Sequence, residues 1–349
     1  MKAWTIARKA CALVVLIASI GLTFVAIEAC LVLSKYVFRG TLVKLNQYDD
    51  LLGWRPTGDF KRTYTARDAS GRSYSVDIRS YANGSRLWGT HPGAPKVLFI
   101  GDSFTQAEEV SNDKTYYYHF SRMTGFDTYA IGCVGYGTLQ EMLLLKEVTR
   151  RDGLVPDMVV LQFCNNDFIN NTLKIEKDFI VFQQRTRPYL VNDAVVYDLK
   201  KDRLFMFLLN NSYLFRFLLA KIELILLKIL KGYSFRTMDA EAEASSLAEA
   251  VSITGNILDR MRGLSPGTKY YAFNCDEETG RKYLGNCFNE VMTKSGFIPL
   301  SGAVDYVKGG PTGERGIMAA DGGHFNEEGH LRLAKFLAGK ICGSSARGR

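Results

Sequence analysis

The sequence predicts an α/β protein: a central parallel sheet covered by helices on both faces, preceded by a transmembrane helix. Three observations carry this. Short runs with apolar residues on both faces, such as KVLFI (96–100) and DMVVLQF (157–163), alternate with longer amphipathic segments. Strands buried on both faces belong to parallel sheets sandwiched between helices. The N-terminal run ACALVVLIASIGLTFVAI (10–27) is apolar throughout and about long enough to cross a bilayer.

Taken in order, residues 1–9 form a short basic segment with Lys2, Arg8 and Lys9. The apolar run resumes after Glu28, is longer than a signal-peptide core, and is followed by no good small-residue cleavage site. Residues 10–36 are therefore expected to be a retained single-pass anchor. Lys35, Arg39 and Lys44 nearly balance the near-side charges, so the expected orientation, amino terminus inside and body periplasmic or extracellular, draws on the fold as well as on charge. Residues 37–95 read as an entry segment in which KRTYTA and RSYSVDIRSY suggest short strands. From 96 to 342 strand and helix alternate. Strands are expected at 96–100, 127–131, 157–163, 269–273 and 297–300. Helices are expected at 115–125, 138–151, through SLAEAVSITGNILDRMRG, near 278–294 and over NEEGHLRLAKFLAGKI. Residues 343–349 read as a flexible tail.

An insert at 168–245 interrupts the alternation. Within 212–232, Arg216, Lys221, Glu223 and Lys228 share one polar arc of a helix. That pattern suits a membrane-surface helix or a lid over the site, or a helix packed on the domain's own core.

Bulk composition narrows the function classes. With 349 residues, 47 % of them hydrophobic, there is ample material for a core. The formal charge of +8 is scattered without a Lys/Arg-rich block, which speaks against nucleic acid and leaves an anionic membrane surface or polyanionic glycan. Seven cysteines contain no CxxC pair and no zinc-like spacing, so no structural metal is expected. Cys275 and Cys287 flank a short polar loop and read either as a disulfide or as two unrelated thiols.

Ser103 stands where the strand 96–100 ends and a helix begins, as a presented nucleophile would. It then needs a base, a group to orient that base, and oxyanion donors. Of four histidines, His324 lies three residues after Asp321 in a glycine-rich loop before the last helix, so both side chains can turn to one place. His330 suits a packing role, and His91 and His119 lie away from other polar elements. Donors are available from GCVGYG after the second strand and CNND after the third.

The set GDSFT (101–105), the glycine loop, NND (165–167) and DGGHFNEEGH (321–330) resembles the SGNH (GDSL-like) hydrolase superfamily. The resemblance implies a flavodoxin-like three-layer α/β/α fold and a serine esterase without metal or organic cofactor. It puts the nucleophile on Ser103, the catalytic pair on Asp321 and His324, and the oxyanion hole on the Ser103 amide, Gly135 and Asn166. Asp102 and Asn326 take supporting places. Departures are Ala130 and Cys164, where the family usually has asparagine and glycine, and Phe104, where many members carry leucine. The carboxyl-terminal Asp-x-x-His argues against the alginate-acetylating branch, whose Asp-x-His precedes its serine.

The expected reaction is acyl transfer to water from a surface carbohydrate, the acyl group being acetyl. Transfer to a sugar hydroxyl, a lipid-ester substrate, and an inactive glycan-binding scaffold are the alternatives. The intact Ser103, Asp321 and His324 argue against the last. Trp54, in LGW (52–54), reads more as a packing anchor than as a ligand shelf, yet with Trp88 and Tyr136 it also counts among the exposed-looking aromatics that would suit a sugar.

Overall fold

The computed structural model describes residues 2–39, 45–173, 186–197, 240–275, 282–309 and 313–346, together with 207, 208, 211–215, 217, 218 and 222. Two units result: Met1–Lys44 with Lys201–Phe235, and Leu45–Lys200 with Arg236–Arg349.

The first unit is built on α1 (Lys2–Arg39), in which Cys11–Leu33 is long and apolar enough to cross a membrane. Its one charged interruption, Glu28, has work inside this unit. The carboxylate accepts hydrogen bonds from Ser212 Oγ (2.8 Å), the Tyr213 amide (2.6 Å) and the Leu214 amide (2.8 Å). The two amides lie at the start of a helical turn, where backbone N–H groups point away from the helix and attract an anion. The four charges of the predicted polar arc, Arg216, Lys221, Glu223 and Lys228, lie outside the described residues, as does the tail beyond Ala346.

The second unit opens with two antiparallel hairpins, β1 (Asn46–Asp49) with β2 (Gly53–Pro56) and β3 (Lys61–Arg67) with β4 (Ser73–Arg79). The short β5 (Leu87–Trp88) follows. Then come β6 (Lys96–Gly101), α2 (Ser103–Gln106), α3 (Tyr116–Thr124), β7 (Asp127–Gly132), α4 (Thr138–Arg151), β8 (Met158–Phe163) and α5 (Asn166–Asn170). A hairpin of β9 (Pro188–Val191) and β10 (Ala194–Tyr197) precedes α6 (Ala240–Gly263), β11 (Lys269–Asn274), α7 (Lys282–Lys294), β12 (Ile298–Pro299), α8 (Ala303–Lys308) and α9 (Glu327–Ala346).

The central sheet runs β12-β11-β8-β6-β7-β5. Its five parallel strands, numbered in chain order, give the 2-1-3-4-5 order of flavodoxin-like folds. The sheet is mixed rather than wholly parallel, because β5 adds an antiparallel edge through Leu87–Ala130 and Trp88–Tyr129. Two residues are too few to leave a period in the sequence. Along β6, Leu98 and Ile100 face the core formed with α4, α6 and α7, while Val97 and Phe99 face the core formed with α3, α8 and α9. All four are fully buried, and each such burial contributes roughly 1.5–3 kcal/mol. The three-layer α/β/α fold follows from that two-sided burial. Strand order reverses between β6 and β8, so the crevice at their carboxyl ends is where a ligand site belongs.

Arg86, next to β5, is buried and reaches the turn beyond β6. Its guanidinium donates to the carbonyls of Gln106, Ala107 and Val110 and to Asn112 Oδ1. Removing it strands several buried acceptors at once. Arg86→Met is expected to lower stability by about 3 kcal/mol, read from urea unfolding. A change below about 0.5 kcal/mol would mean that the clamp does not hold.

Candidate active site

Ser103 is delivered by a turn that leaves no room for side chains. A Cβ on Gly101 would stand 2.5 Å from Gln162 Oε1 and Thr105 Oγ1, and one on Gly132 would stand 2.6 Å from Thr105 Cβ and 2.7 Å from the Gly101 carbonyl. Those close approaches seat the turn after β6 against the ends of β7 and β8. Gln162, near the carboxyl end of β8, accepts from the Asp102 amide (3.0 Å) and Thr105 Oγ1 (3.1 Å). Asp102 Oδ1 accepts from the Phe104 amide and caps the one-turn helix that Ser103 begins. The helix ends at Ala107, whose left-handed φ of 51° needs outside support; the Arg86 hydrogen bond to its carbonyl supplies it.

The second half of the site comes from the chain before α9. Asp321 Oδ1 accepts from the Gly323 (3.0 Å) and His324 (3.1 Å) amides, which closes the turn. Asp321 Oδ2 accepts from His324 Nδ1. With that proton on Nδ1, Nε2 is left as an acceptor, and Ser103 Oγ donates to it at 2.8 Å. The β3–β4 hairpin holds the loop: Ala69 donates to the Met318 carbonyl and Ala320 to the Arg67 carbonyl. Asn326 Oδ1 accepts from the Glu328 and Gly329 amides at the start of α9, and its Nδ2 donates to the Gly316 and Met318 carbonyls. The Phe104 ring lies 5.0 Å from the imidazole.

Electrostatics favour an imidazole that accepts a proton readily. Burial depresses the His324 pKa, but the charge of Glu109 and the hydrogen bond that the imidazole donates to Asp321 outweigh it, and the net shift is upward. Burial likewise pushes the Asp321 carboxyl up, but hydrogen bonds from the His324 side chain and from the His324 and Gly323 amides pull it lower overall. The Asp102 carboxyl is raised by its complete burial.

Gly135 lies in the connection after β7 and Asn166 at the first position of the helix after β8. Gly135 follows β7 with φ 70°. Its neighbour Val134 donates its amide to Gln106 Oε1 (2.6 Å) and accepts from Trp54 Nε1 (2.9 Å), which fixes the loop beside α2. Asn166 begins α5 after β8 and is half-buried. Since β7 and β8 are the neighbours of β6, both connections open from strand ends adjacent to the Ser103 turn. The other histidines are elsewhere. His330 is buried, stacks on Tyr116, and has its pKa pushed down to about 3 by burial.

Three aromatics expected at the surface are not free platforms. Tyr136 is fully buried, packs edge-on against Trp54, and donates to the Trp54 carbonyl. Trp54 and Trp88 are half-buried and belong to the core beside α4, because their rings cover the loop after β7 and the edge of the sheet. Sequence reasoning also passed over Gln106, Gln162, Arg86 and Glu109. The glutamine inside the apolar strand MVVLQF was a signal, since a buried amide in a central strand needs a partner. Glu109, Asp321 and His324 are the group among the described residues whose donor atoms, within 4.8 Å of one another, could hold a cation.

A serine at the switch point of a doubly wound sheet, hydrogen-bonded to an imidazole that is itself held by a carboxylate, defines a serine-hydrolase type of site. The chain matches the family model described as GDSL-like Lipase/Acylhydrolase over residues 97–337, and it belongs to that family, an SGNH-type hydrolase of ester bonds. No curated protein matches it. Among solved structures it is similar to TesA (12% identity, 70% of this chain and 98% of that one, TM-score 0.40). It is also similar to the acetyl xylan esterase Est2A from the rumen bacterium Butyrivibrio proteoclasticus (11%, 79% and 67%, TM-score 0.38). A third is a family two carbohydrate esterase from Clostridium thermocellum (13%, 83% and 88%, TM-score 0.40).

The crowding at Gly132 gives a test of the turn. Gly132→Ala is expected to cost about a hundredfold in esterase kcat/KM through displacement of Ser103, with the far-UV circular dichroism of the wild type retained. Wild-type activity in this variant would show that the turn tolerates the side chain.

Proposed function

We propose that this chain is a membrane-anchored, extracytoplasmic serine esterase that removes acyl groups, acetyl foremost, from cell-surface carbohydrate. The observation that carries the reading is the hydrogen-bonded run from Ser103 through His324 to Asp321. Ser103 Oγ attacks the ester carbonyl while its proton passes to His324 Nε2. Asp321 keeps the Nδ1 proton in place and stabilises the imidazolium. The Ser103 and Gly135 amides and the Asn166 side chain hold the tetrahedral oxyanion, each such donor worth about 10²–10³ in rate. The imidazolium then returns its proton to the leaving sugar oxygen, and water repeats the sequence on the acyl-enzyme. No step calls for a metal or an organic cofactor.

Two features support a carbohydrate-borne acetyl group. The base and its partner are open to solvent, His324 with a quarter and Asp321 with nearly half of the side chain exposed, so an ester on a large hydrophilic body can reach them. The apolar Cys11–Leu33 supports the anchor, with the body beside the surface polymer.

Hydrolysis of p-nitrophenyl acetate is expected to exceed that of a long-chain ester, and to fall at least about ten-thousandfold in Ser103→Ala and His324→Ala. Because Nε2 works as a base only when the imidazole is neutral and its pKa is raised, kcat/KM should climb with pH through a value above the ordinary ~6.5. A long-chain preference would move the substrate to lipid. Undiminished activity in Ser103→Ala would remove the mechanism.

A further inference from the structure

A second carboxylate faces the imidazole. Glu109 Oε1 lies 3.6 Å from His324 Nδ1, the nitrogen that donates to Asp321. At that distance it is an ion-pair partner rather than a hydrogen-bond acceptor. The two carboxylates differ in setting. Asp321 sits on a glycine-rich turn with 46% of its side chain exposed, whereas the Glu109 side chain is 22% exposed.

The backbone around Glu109 is pinned at three successive carbonyls. Glu108 accepts from the Tyr64 hydroxyl, Glu109 from the Tyr74 hydroxyl (3.0 Å), and Val110 from Arg86 (2.9 Å). The two tyrosines stand on β3 and β4, so the hairpin that holds the Asp321–His324 loop also sets Glu109 against it.

We propose that Glu109 is a positioning residue for the esterase reaction, sharing the His324 imidazole with Asp321 and stabilising the imidazolium that forms when Ser103 is deprotonated. The inference rests on the reading of Ser103 and His324 given above. As the bond between Ser103 Oγ and the acyl carbon forms, the Oγ proton moves to Nε2, and the new positive charge spreads to the Nδ1 side. There it meets two carboxylates, one hydrogen-bonded and one Coulombic.

The groups facing Glu109 are His324 and Asp321 from the loop before α9, Glu108 beside it, and the hydroxyls of Tyr64 and Tyr74, with Arg86 and Arg62 facing Glu108 and Glu327 facing Tyr74. Burial raises the Glu109 carboxyl to about 7, against the pull of His324. The Glu109 charge is one cause of the raised His324 pKa.

The test is the pH dependence of p-nitrophenyl acetate hydrolysis by the full chain, compared among the wild type, Glu109→Gln, Asp321→Asn and the double variant. With the glutamate charge removed, the acid limb of kcat/KM is expected to move about half a unit or more to lower pH, and the plateau to fall about tenfold. Asp321→Asn is expected to keep activity above the Ser103→Ala background, and Glu109→Gln to cost more in that variant than in the wild type. Superimposable acid limbs with the same cost in both backgrounds would overturn the proposal, whatever happens to thermal stability. Should Glu109→Gln not fold, the His324 ring-proton resonances of the wild-type chain decide: two inflections with pH are expected, and a single one overturns it. Ser103→Ala, run in parallel, separates the failures. Activity surviving there would overturn the underlying mechanism and this inference together, whereas loss there with unmoved Glu109→Gln profiles overturns this inference alone.

Discussion

The site depends on one hydrogen bond, 2.8 Å long, between Ser103 and His324, two residues 221 positions apart in the chain. Neither side chain is useful alone. Holding them together requires that the end of the first parallel strand and the loop before the last helix meet at one edge of the sheet. The 2-1-3-4-5 strand order does the coarse part by opening a crevice between β6 and β8. The fine part falls to a few buried polar groups: Gln162 under the Ser103 turn, Gln106 beside the Gly135 loop, and Arg86 behind both. Buried polar groups are costly unless fully partnered, and these spend their hydrogen bonds on the backbone that carries the site.

The segment before the first parallel strand is part of this machinery. Its β5 closes the sheet edge and brings Arg86, while its β3–β4 hairpin ties the Asp321–His324 loop through Ala69 and Arg67 and the Glu108–Glu109 turn through Tyr64 and Tyr74. One hairpin therefore touches both halves of the site. The hydrogen bond between Ser103 and His324 is as well positioned as that hairpin is.

Most of the architecture was legible in the amino-acid sequence, because strands buried on both faces and helices with one apolar face leave strong periods. Lys96–Gly101, Thr138–Arg151 and Met158–Phe163 fall within a residue of the runs that predict them. Ser103, His324 and Asp321 stood out because strand ends and glycine-rich loops are local signals. The edge strand Leu87–Trp88 left no period, and Arg86 and Glu109 looked like ordinary charged residues. Their importance comes from contacts across tens to hundreds of positions, which no local pattern encodes. The aromatics failed for the opposite reason: Trp54 and Tyr136 lie in glycine-rich, loop-like sequence, but the loop is folded inward against the sheet.

The most direct test of the account is to treat the full chain with a fluorophosphonate, which reacts only with an activated serine, and to locate the adduct by peptide mass spectrometry. A single adduct on Ser103 is expected, prevented by excess p-nitrophenyl acetate and absent from His324→Ala. An adduct on another residue, or one on Ser103 that forms as fast without His324, would contradict it.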